Sequence, residues 1–169
     1  LIHVDMLHEA PNCSGVVSVN KEFENTRETN RYLHTDNINA QVVVTDFRDP
    51  HGPGFMDHAS ATVERIYGLP LSTKMGGVAA DPDRDVAYIA DTANDMVFEV
   101  YYKSGSTTRT ARGDYPIFSA INEKFVYSIR EHVTWKNIAH INKPIDVALH
   151  EYILYILDAS GKTTLVDTL

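Results

Sequence analysis

The residues of this chain best suited to metal chemistry lie in one polar stretch, residues 46–58. The stretch contains His51, Asp57 and His58, and imidazole and carboxylate groups are ligands for zinc or copper. Its glycine and proline residues would let the chain fold over an ion. Because the ligand spacing matches no diagnostic metal motif, a structured surface loop with locally bonded Asp and His side chains is the favoured alternative.

Three further acidic residues, Asp81, Asp91 and Asp158, stand directly after apolar strand-like runs. Carboxylates at such loop positions can bind calcium together with backbone carbonyls. The favoured interpretation is that each carboxylate accepts backbone N–H groups of the following turn, in which Asn94 tolerates a left-handed conformation. Calcium and zinc are therefore the two cofactors that the sequence suggests.

Contacts with other molecules are suggested at two places. The stretch around Tyr115 and Phe118 would present aromatic side chains to a protein partner if it forms an exposed loop, or would cap the local core if it does not. The tripeptide Asn12-Cys13-Ser14 is an acceptor motif for N-glycosylation, although such a tripeptide also arises by chance. If Asn12 carries a glycan, the protein lies outside the cytosol, which favours an extracellular or cell-surface location.

Nucleophilic catalysis has little support in the sequence. The chain contains no Gly-x-Ser-x-Gly elbow, no phosphate-binding loop and no Gly-x-Gly-x-x-Gly fingerprint. Its single cysteine, Cys13, has no histidine nearby in sequence and cannot form an internal disulfide. Residues distant in sequence could still converge into a catalytic group, so an enzyme remains an alternative.

Composition excludes several other classes of function. With 169 residues and 43% hydrophobic residues, the chain can form a single buried core. Its formal net charge of -8 argues against binding to duplex nucleic acid or to anionic lipid surfaces. No apolar run approaches the roughly 18 residues needed to cross a bilayer, so we expect no membrane insertion.

The elements that must position these residues are β-strands. Short runs rich in β-branched and aromatic residues recur along the chain, and turn residues separate them. Examples are residues 41–45, 86–90, 96–101 and 153–157. No stretch keeps a helical periodicity over about 12 residues. The sequence therefore predicts an all-β fold.

An internal repeat organises the strands. Residues 77–97 align with residues 146–162, so that Val78 matches Val147 and Tyr88 matches Tyr155. A fainter third copy begins at residue 15 and resumes at residue 32. In each copy we expect an apolar strand, a turn, a strand with an aligned tyrosine, a polar cluster and a third strand.

The best copy resembles the NHL-repeat family of β-propellers. The residues that carry the resemblance are Gly77-Val78-Ala79-Ala80-Asp81, followed by Ala87-Tyr88-Ile89-Ala90-Asp91-Thr92-Ala93-Asn94-Asp95-Met96-Val97. Members of this family show a similar G-V-A-V-D … Y-V-A-D-T-x-N-x-R-V run. This chain departs from the family at Met96, where the family usually carries arginine, and the copy at 146–162 has Asp146 in place of glycine.

The resemblance implies a partial β-propeller of NHL-like blades with loop insertions. The blade segments are expected at about 12–70, 75–140 and 144–169, with residues 1–10 as a strand of a preceding blade. Insertions are expected at 47–62 and 106–124, and outer strands at 61–67 and 135–139. Two and a half blades cannot close a propeller, so we expect a fragment of a longer protein or an assembly with other chains.

The function that fits this interpretation is a non-catalytic binding or structural module. It would belong to a larger extracellular or cell-surface assembly and would contact a protein partner or further copies of itself. This inference rests on what propellers commonly do, because a fold does not fix a function. The alternative is a metal-dependent lyase or hydrolase with its site in the propeller channel.

Overall fold

The structure, a computed structural model, describes residues 12–21, 31–46, 62–114 and 124–169. These residues form thirteen β-strands and contain no α-helix, which confirms the all-β prediction. The strand expected at 1–10 lies outside the described residues. In chain order the strands are β1 (Val16–Ser18), β2 (Arg31–Asp36), β3 (Gln41–Asp46), β4 (Thr62–Ile66), β5 (Met75–Asp81), β6 (Val86–Asp91), β7 (Met96–Tyr101), β8 (Ser106–Asp114), β9 (Lys124–Glu131), β10 (Trp135–His140), β11 (Pro144–His150), β12 (Ile153–Asp158) and β13 (Thr163–Asp167).

The strands form three sheets. The first sheet has the order β1-β2-β3-β4-β9-β8, the second has the order β10-β7-β6-β5, and the third has the order β11-β12-β13. All neighbouring strands are antiparallel except β4 and β9, which are parallel. Within each sheet, most strands pair with the strand next to them in sequence; the exceptions are β10, which pairs with β7, and β9, which pairs with β4.

The segment that carries β8 and β9 begins where the insertion at 106–124 was expected but extends farther, to the end of β9 at Glu131. It forms the hairpin β8–β9, which lies in sequence between β7 and β10 of the second sheet. In space, β9 pairs with β4 and so extends the first sheet. The strands expected at 61–67 and 135–139 are present as β4 and β10; β10 is an outer strand as expected, whereas β4 has β9 and β8 outside it. The β8–β9 segment, which follows β7 of the second sheet in sequence, thus adds two strands to the edge of the first sheet.

The pairing register identifies equivalent positions in the three sheets. Val78 lies opposite Ile89 in the second sheet, and Val147 lies opposite Ile156 in the third. In the first sheet the same position is taken by Val16 opposite His34. The third copy of the repeat, faint in sequence, therefore has the same register as the other two.

The expected aligned tyrosine is present in two of the copies only. Tyr88 and Tyr155 occupy equivalent positions, one residue before the isoleucines that pair with the valines. In the first sheet this position is Leu33, and Tyr32 lies one residue earlier. Because side chains alternate between the two faces of a strand, Tyr32 points to the opposite face from Leu33.

The three sheets approach one another most closely at their first strands, β1, β5 and β11. A Cβ atom on Gly76 would collide with the backbone of Ile145, and one on Gly77 would collide with the Asp146 side chain. A Cβ atom on Gly15 would lie 2.9 Å from Val78. Glycine at these positions is what lets the backbones of neighbouring sheets come into contact.

Away from this contact, the sheets pack through two apolar layers. On β6 the side chains of Ala87 and Ile89 enter the layer between the first and second sheets. Those of Val86, Tyr88 and Ala90 enter the layer between the second and third sheets. All five are fully buried, so both faces of β6 are covered. Burial of one large apolar side chain such as Ile89 contributes about 1.5–3 kcal/mol to the free energy of unfolding.

We predict that Gly76→Ala lowers the free energy of unfolding by about 3 kcal/mol, because the added methyl group must displace the β11 backbone. Urea denaturation of both proteins measures the change. Gly161→Ala is the matched control, since its Cβ meets no atom and its cost, about 1 kcal/mol, comes only from a left-handed φ. Equal losses in the two variants would contradict the close approach of β5 and β11.

Candidate functional site

The stretch expected to bind a metal, with His51, Asp57 and His58, lies outside the described residues, as do Tyr115 and Phe118. Within the ranges that the structure describes, no group of three or more His, Cys, Asp or Glu side chains is placed to hold a metal ion. The metal site at 51–58 and the partner contact at 115–118 therefore stay predictions from sequence.

The aspartate that ends the second strand of each sheet holds the turn that follows. Asp91 accepts hydrogen bonds from the backbone N–H of Asn94 at 3.2 Å and of Ser72 at 2.7 Å. The Asn94 side chain donates to Asp91 as well, at 2.9 Å. Asp91 is thus a turn residue whose two oxygens are both in use. The left-handed residue of the turn is Asp95, with φ 55°, and not Asn94 as its residue type suggested.

The equivalent carboxylates of the other two sheets play the same part. Asp36 accepts from the Asn39 side chain at 2.8 Å and from the Arg65 guanidinium at 2.9 Å. Burial acts to raise the pKa of Asp36, but the hydrogen bonds from Asn39 and Arg65 outweigh it and leave the pKa lowered. The pKa of Asp158 is also lowered, chiefly by its hydrogen bond from Ser160. Both groups are therefore stabilised as ionised acceptors of their turns.

The glycosylation tripeptide lies on the surface where the chain enters β1. Asn12 is exposed, and the Cys13 thiol is exposed and free. The Ser14 hydroxyl donates to the Gly76 carbonyl at 2.8 Å and lies 3.1 Å from the Thr35 hydroxyl. Ser14 therefore links the first sheet to the second, while the Asn12 side chain is accessible to modification.

A polar cleft of about 330 Å³ opens between the first and second sheets. Its floor belongs to the first sheet, where Asp46 lies opposite Thr62 and Val44 opposite Glu64, which itself lies opposite Ser128 on β9. These side chains share the face that, farther along the strands, carries apolar residues into the core. No motif in the sequence indicates this cleft.

The charged side chains of the cleft floor are paired with one another. The Arg31 Nε donates to Asp46 at 2.9 Å. The Arg130 Nε lies 3.0 Å from each oxygen of Glu64, and the Thr107 hydroxyl donates to Glu64 at 3.2 Å. Glu64, on β4, thereby holds both strands of the β8–β9 hairpin. The floor presents a carboxylate beside a guanidinium at two places.

The opposite wall of the cleft is formed by residues that come directly after β7 in the chain. Tyr102 is almost fully buried there, and the Lys103 Nζ lies 2.7 Å from an Asp85 carboxylate oxygen. Burial, with the nearby Asp85 carboxylate as the next cause, raises the pKa of Tyr102, so the phenol stays protonated. The Arg130 Nη1 donates to the Lys103 carbonyl at 3.0 Å, which joins the wall to the floor.

One face of the third sheet is not covered by the described residues. We call it the open face; its members are Ala148, Tyr155, Leu157 and Leu165. Tyr155, which is 39% exposed, lies opposite Leu165, which is 60% exposed. In the second sheet, the equivalent pair Tyr88 and Glu99 is 0% and 1% exposed, because the third sheet covers it. The open face of the third sheet therefore corresponds in position to a face that is buried in the second sheet.

Glu99 is a buried carboxylate within the layer between the second and third sheets. Lys136 of β10 lies opposite Glu99, and its Nζ is 2.9 Å from Oε1. The Oε2 atom has no hydrogen-bond partner among the described residues. The contact with Glu99 raises the pKa of Lys136, so the lysine stays charged. The positive charge of Lys136 therefore offsets part of the free-energy cost of burying the Glu99 carboxylate beneath the third sheet.

We predict that Lys136→Met lowers the free energy of unfolding by about 2 kcal/mol, because it leaves a buried carboxylate without its counter-ion. The double variant Lys136→Met/Glu99→Leu is expected to recover most of this loss, since the equivalent position in the third sheet is Leu165. Urea denaturation compares the variants. No recovery in the double variant would show that Glu99 is stabilised by something other than Lys136.

Comparison of the chain with protein-family models, with curated proteins and with solved structures finds no match. Among the described residues there is no helix with the length and apolar character needed to cross a membrane. The function of the chain is therefore inferred from its own residues and contacts.

Proposed function

We propose that this chain is part of an NHL-like β-propeller and serves as a non-catalytic binding or structural module of a larger extracellular or surface assembly. The stacking of the sheets supports the propeller. Three sheets, antiparallel except at the β4–β9 pair, follow one another along the chain, and their first strands lie side by side at glycine contacts. This is the arrangement expected of successive blades around an axis.

The open face is the observation that carries the proposal. At the position of Tyr155, the first sheet has Leu33 and the second has Tyr88, and both are fully buried beneath the next sheet. A soluble surface has little reason to repeat this apolar pattern. We therefore propose that in the functional protein a fourth antiparallel sheet packs on the open face and buries it.

The charged groups of the cleft support a module without catalysis. Asp46, Glu64 and Lys103 each sit within 3.0 Å of an oppositely charged partner. A general acid or base must reach a proton of the substrate, and these side chains are instead engaged by oppositely charged groups of the protein itself. Such pairs suit a rigid binding surface.

The extracellular location rests on the surface around Asn12. The side chain is exposed and stands in an acceptor tripeptide, and the exposed Cys13 thiol is free to pair with a cysteine of another chain. Both features are useful outside the cell, where glycans and disulfides are added.

We predict that the chain on its own self-associates through the open face and binds a hydrophobic dye there. Leu165→Asp is expected to make the protein monomeric and to reduce dye fluorescence by roughly twofold or more, because it places a charge at the most exposed apolar side chain of the face. Size-exclusion chromatography with light scattering measures the mass, and titration with anilinonaphthalene sulfonate measures the exposed apolar surface.

Ile38→Asp is the matched control for that substitution. Ile38 is 57% exposed, close to the 60% of Leu165, but it lies in the turn between β2 and β3. It is expected to change neither the mass nor the dye signal. A wild-type chain that is monomeric and binds no dye would refute the need for a covering sheet.

We predict that protein from its natural source carries an N-linked glycan on Asn12 and holds no stoichiometric metal. Intact mass spectrometry before and after enzymatic removal of N-linked glycans measures the first, and elemental analysis measures the second. Asn12→Gln, expressed in the same source, is expected to remove the mass difference. An unglycosylated chain with one zinc, copper or calcium ion would instead favour a metal-dependent lyase or hydrolase.

A further inference from the structure

The cleft between the first and second sheets contains hydrogen-bonding groups that the fold does not use. No hydrogen bond within the described part of the chain involves the Thr62 or Ser128 hydroxyl, although both side chains are half-buried in the floor. The Arg130 guanidinium bonds through Nε and Nη1 and leaves Nη2 for another partner. These groups lie on neighbouring strands, β4 and β9, around Glu64.

The charge distribution of the cleft decides which ligand suits these groups. Asp46 and Glu64 are each paired with an arginine of the floor, and Lys103 is paired with Asp85. An anion entering the cleft would meet two carboxylates, and a cation would meet the arginines. Either ion would lose its hydration without a net electrostatic gain. The cleft therefore favours an uncharged ligand.

A carboxylate beside a guanidinium offers an acceptor and a donor at adjacent positions. One hydroxyl group can donate to the carboxylate while a neighbouring hydroxyl accepts from the guanidinium, so a vicinal diol matches the pair formed by Glu64 and Arg130. The free hydroxyls of Thr62 and Ser128 can both donate and accept in the same way. Val44, which is half-buried and also lines the cleft, adds apolar surface against which the C–H groups of a ring can pack.

We infer that the cleft is a binding site for a neutral sugar of one or two rings. Its volume of about 330 Å³ is at the lower end of the range for small-molecule sites, which is about 300–1,000 Å³. The inference rests on the proposed function in one respect, that the chain binds without catalysis. It does not depend on what covers the open face.

The experiment is saturation-transfer difference NMR on the 169-residue chain with a panel of neutral sugars: glucose, galactose, mannose, maltose and lactose. Each is added at up to about 50 mM, which covers millimolar dissociation constants. At least one is expected to give a signal, and glucuronate and glucosamine, which match glucose in size but carry a charge, are expected to bind at least about tenfold more weakly.

The double variant Thr62→Val/Ser128→Ala tests the location of the site. Neither hydroxyl takes part in the described hydrogen bonds, so the fold is expected to survive, and urea denaturation verifies this. The affinity for the bound sugar is expected to fall at least about tenfold. Thr163→Val is the matched control, because Thr163 lies on the edge of the third sheet, away from the cleft, and is expected to leave the affinity unchanged.

The outcomes separate this inference from the proposed function. Absence of a signal for every neutral sugar, a preference for glucuronate, or an affinity that the double variant leaves unchanged would overturn the sugar site. A chain that self-associates through Leu165 yet binds no sugar would leave the module proposal standing and reject only the cleft. A chain that binds sugar but shows no exposed apolar face would leave the sugar site standing and reject the need for a covering sheet.

Discussion

The close contact of the three first strands is the constraint on which the rest of the structure depends. Where Gly76 meets the backbone of Ile145, no side chain separates the second sheet from the third. Farther out, tyrosine, isoleucine and valine side chains keep the sheets apart. The sheets therefore touch at one edge and diverge toward the other, because larger side chains fill the space between them there. The polar cleft lies in the outer part of one such space.

The sequence could predict what is local and repeated. Valine at the start of each copy and aspartate at the end of its second strand mark the hairpins, since a turn needs an acceptor for its N–H groups. The third copy was faint because His34 stands where the others have isoleucine. The partner of the β8–β9 hairpin could not be predicted, because the parallel pairing of β4 with β9 joins segments that no turn connects.

The cleft escaped prediction for a related reason. Its floor combines single residues from several strands, such as Asp46, Glu64 and Arg130, and none forms a motif with its sequence neighbours. A signal was nevertheless present. Glu64 on β4 and Glu99 on β7 are charged residues at strand positions whose alternation points to a covered face. Such residues must find partners across the sheet, and a search for their opposite charges would have paired Glu64 with an arginine.

The strand exchange by the β8–β9 hairpin has a consequence for synthesis at the ribosome. The chain emerges from its N-terminus, so β4 leaves the tunnel well before β9, which is encoded after three strands of the second sheet. During that interval β4 is an unpaired edge that can recruit other strands. The first sheet is therefore completed only once most of the second has been translated, and the two cannot mature as independent units.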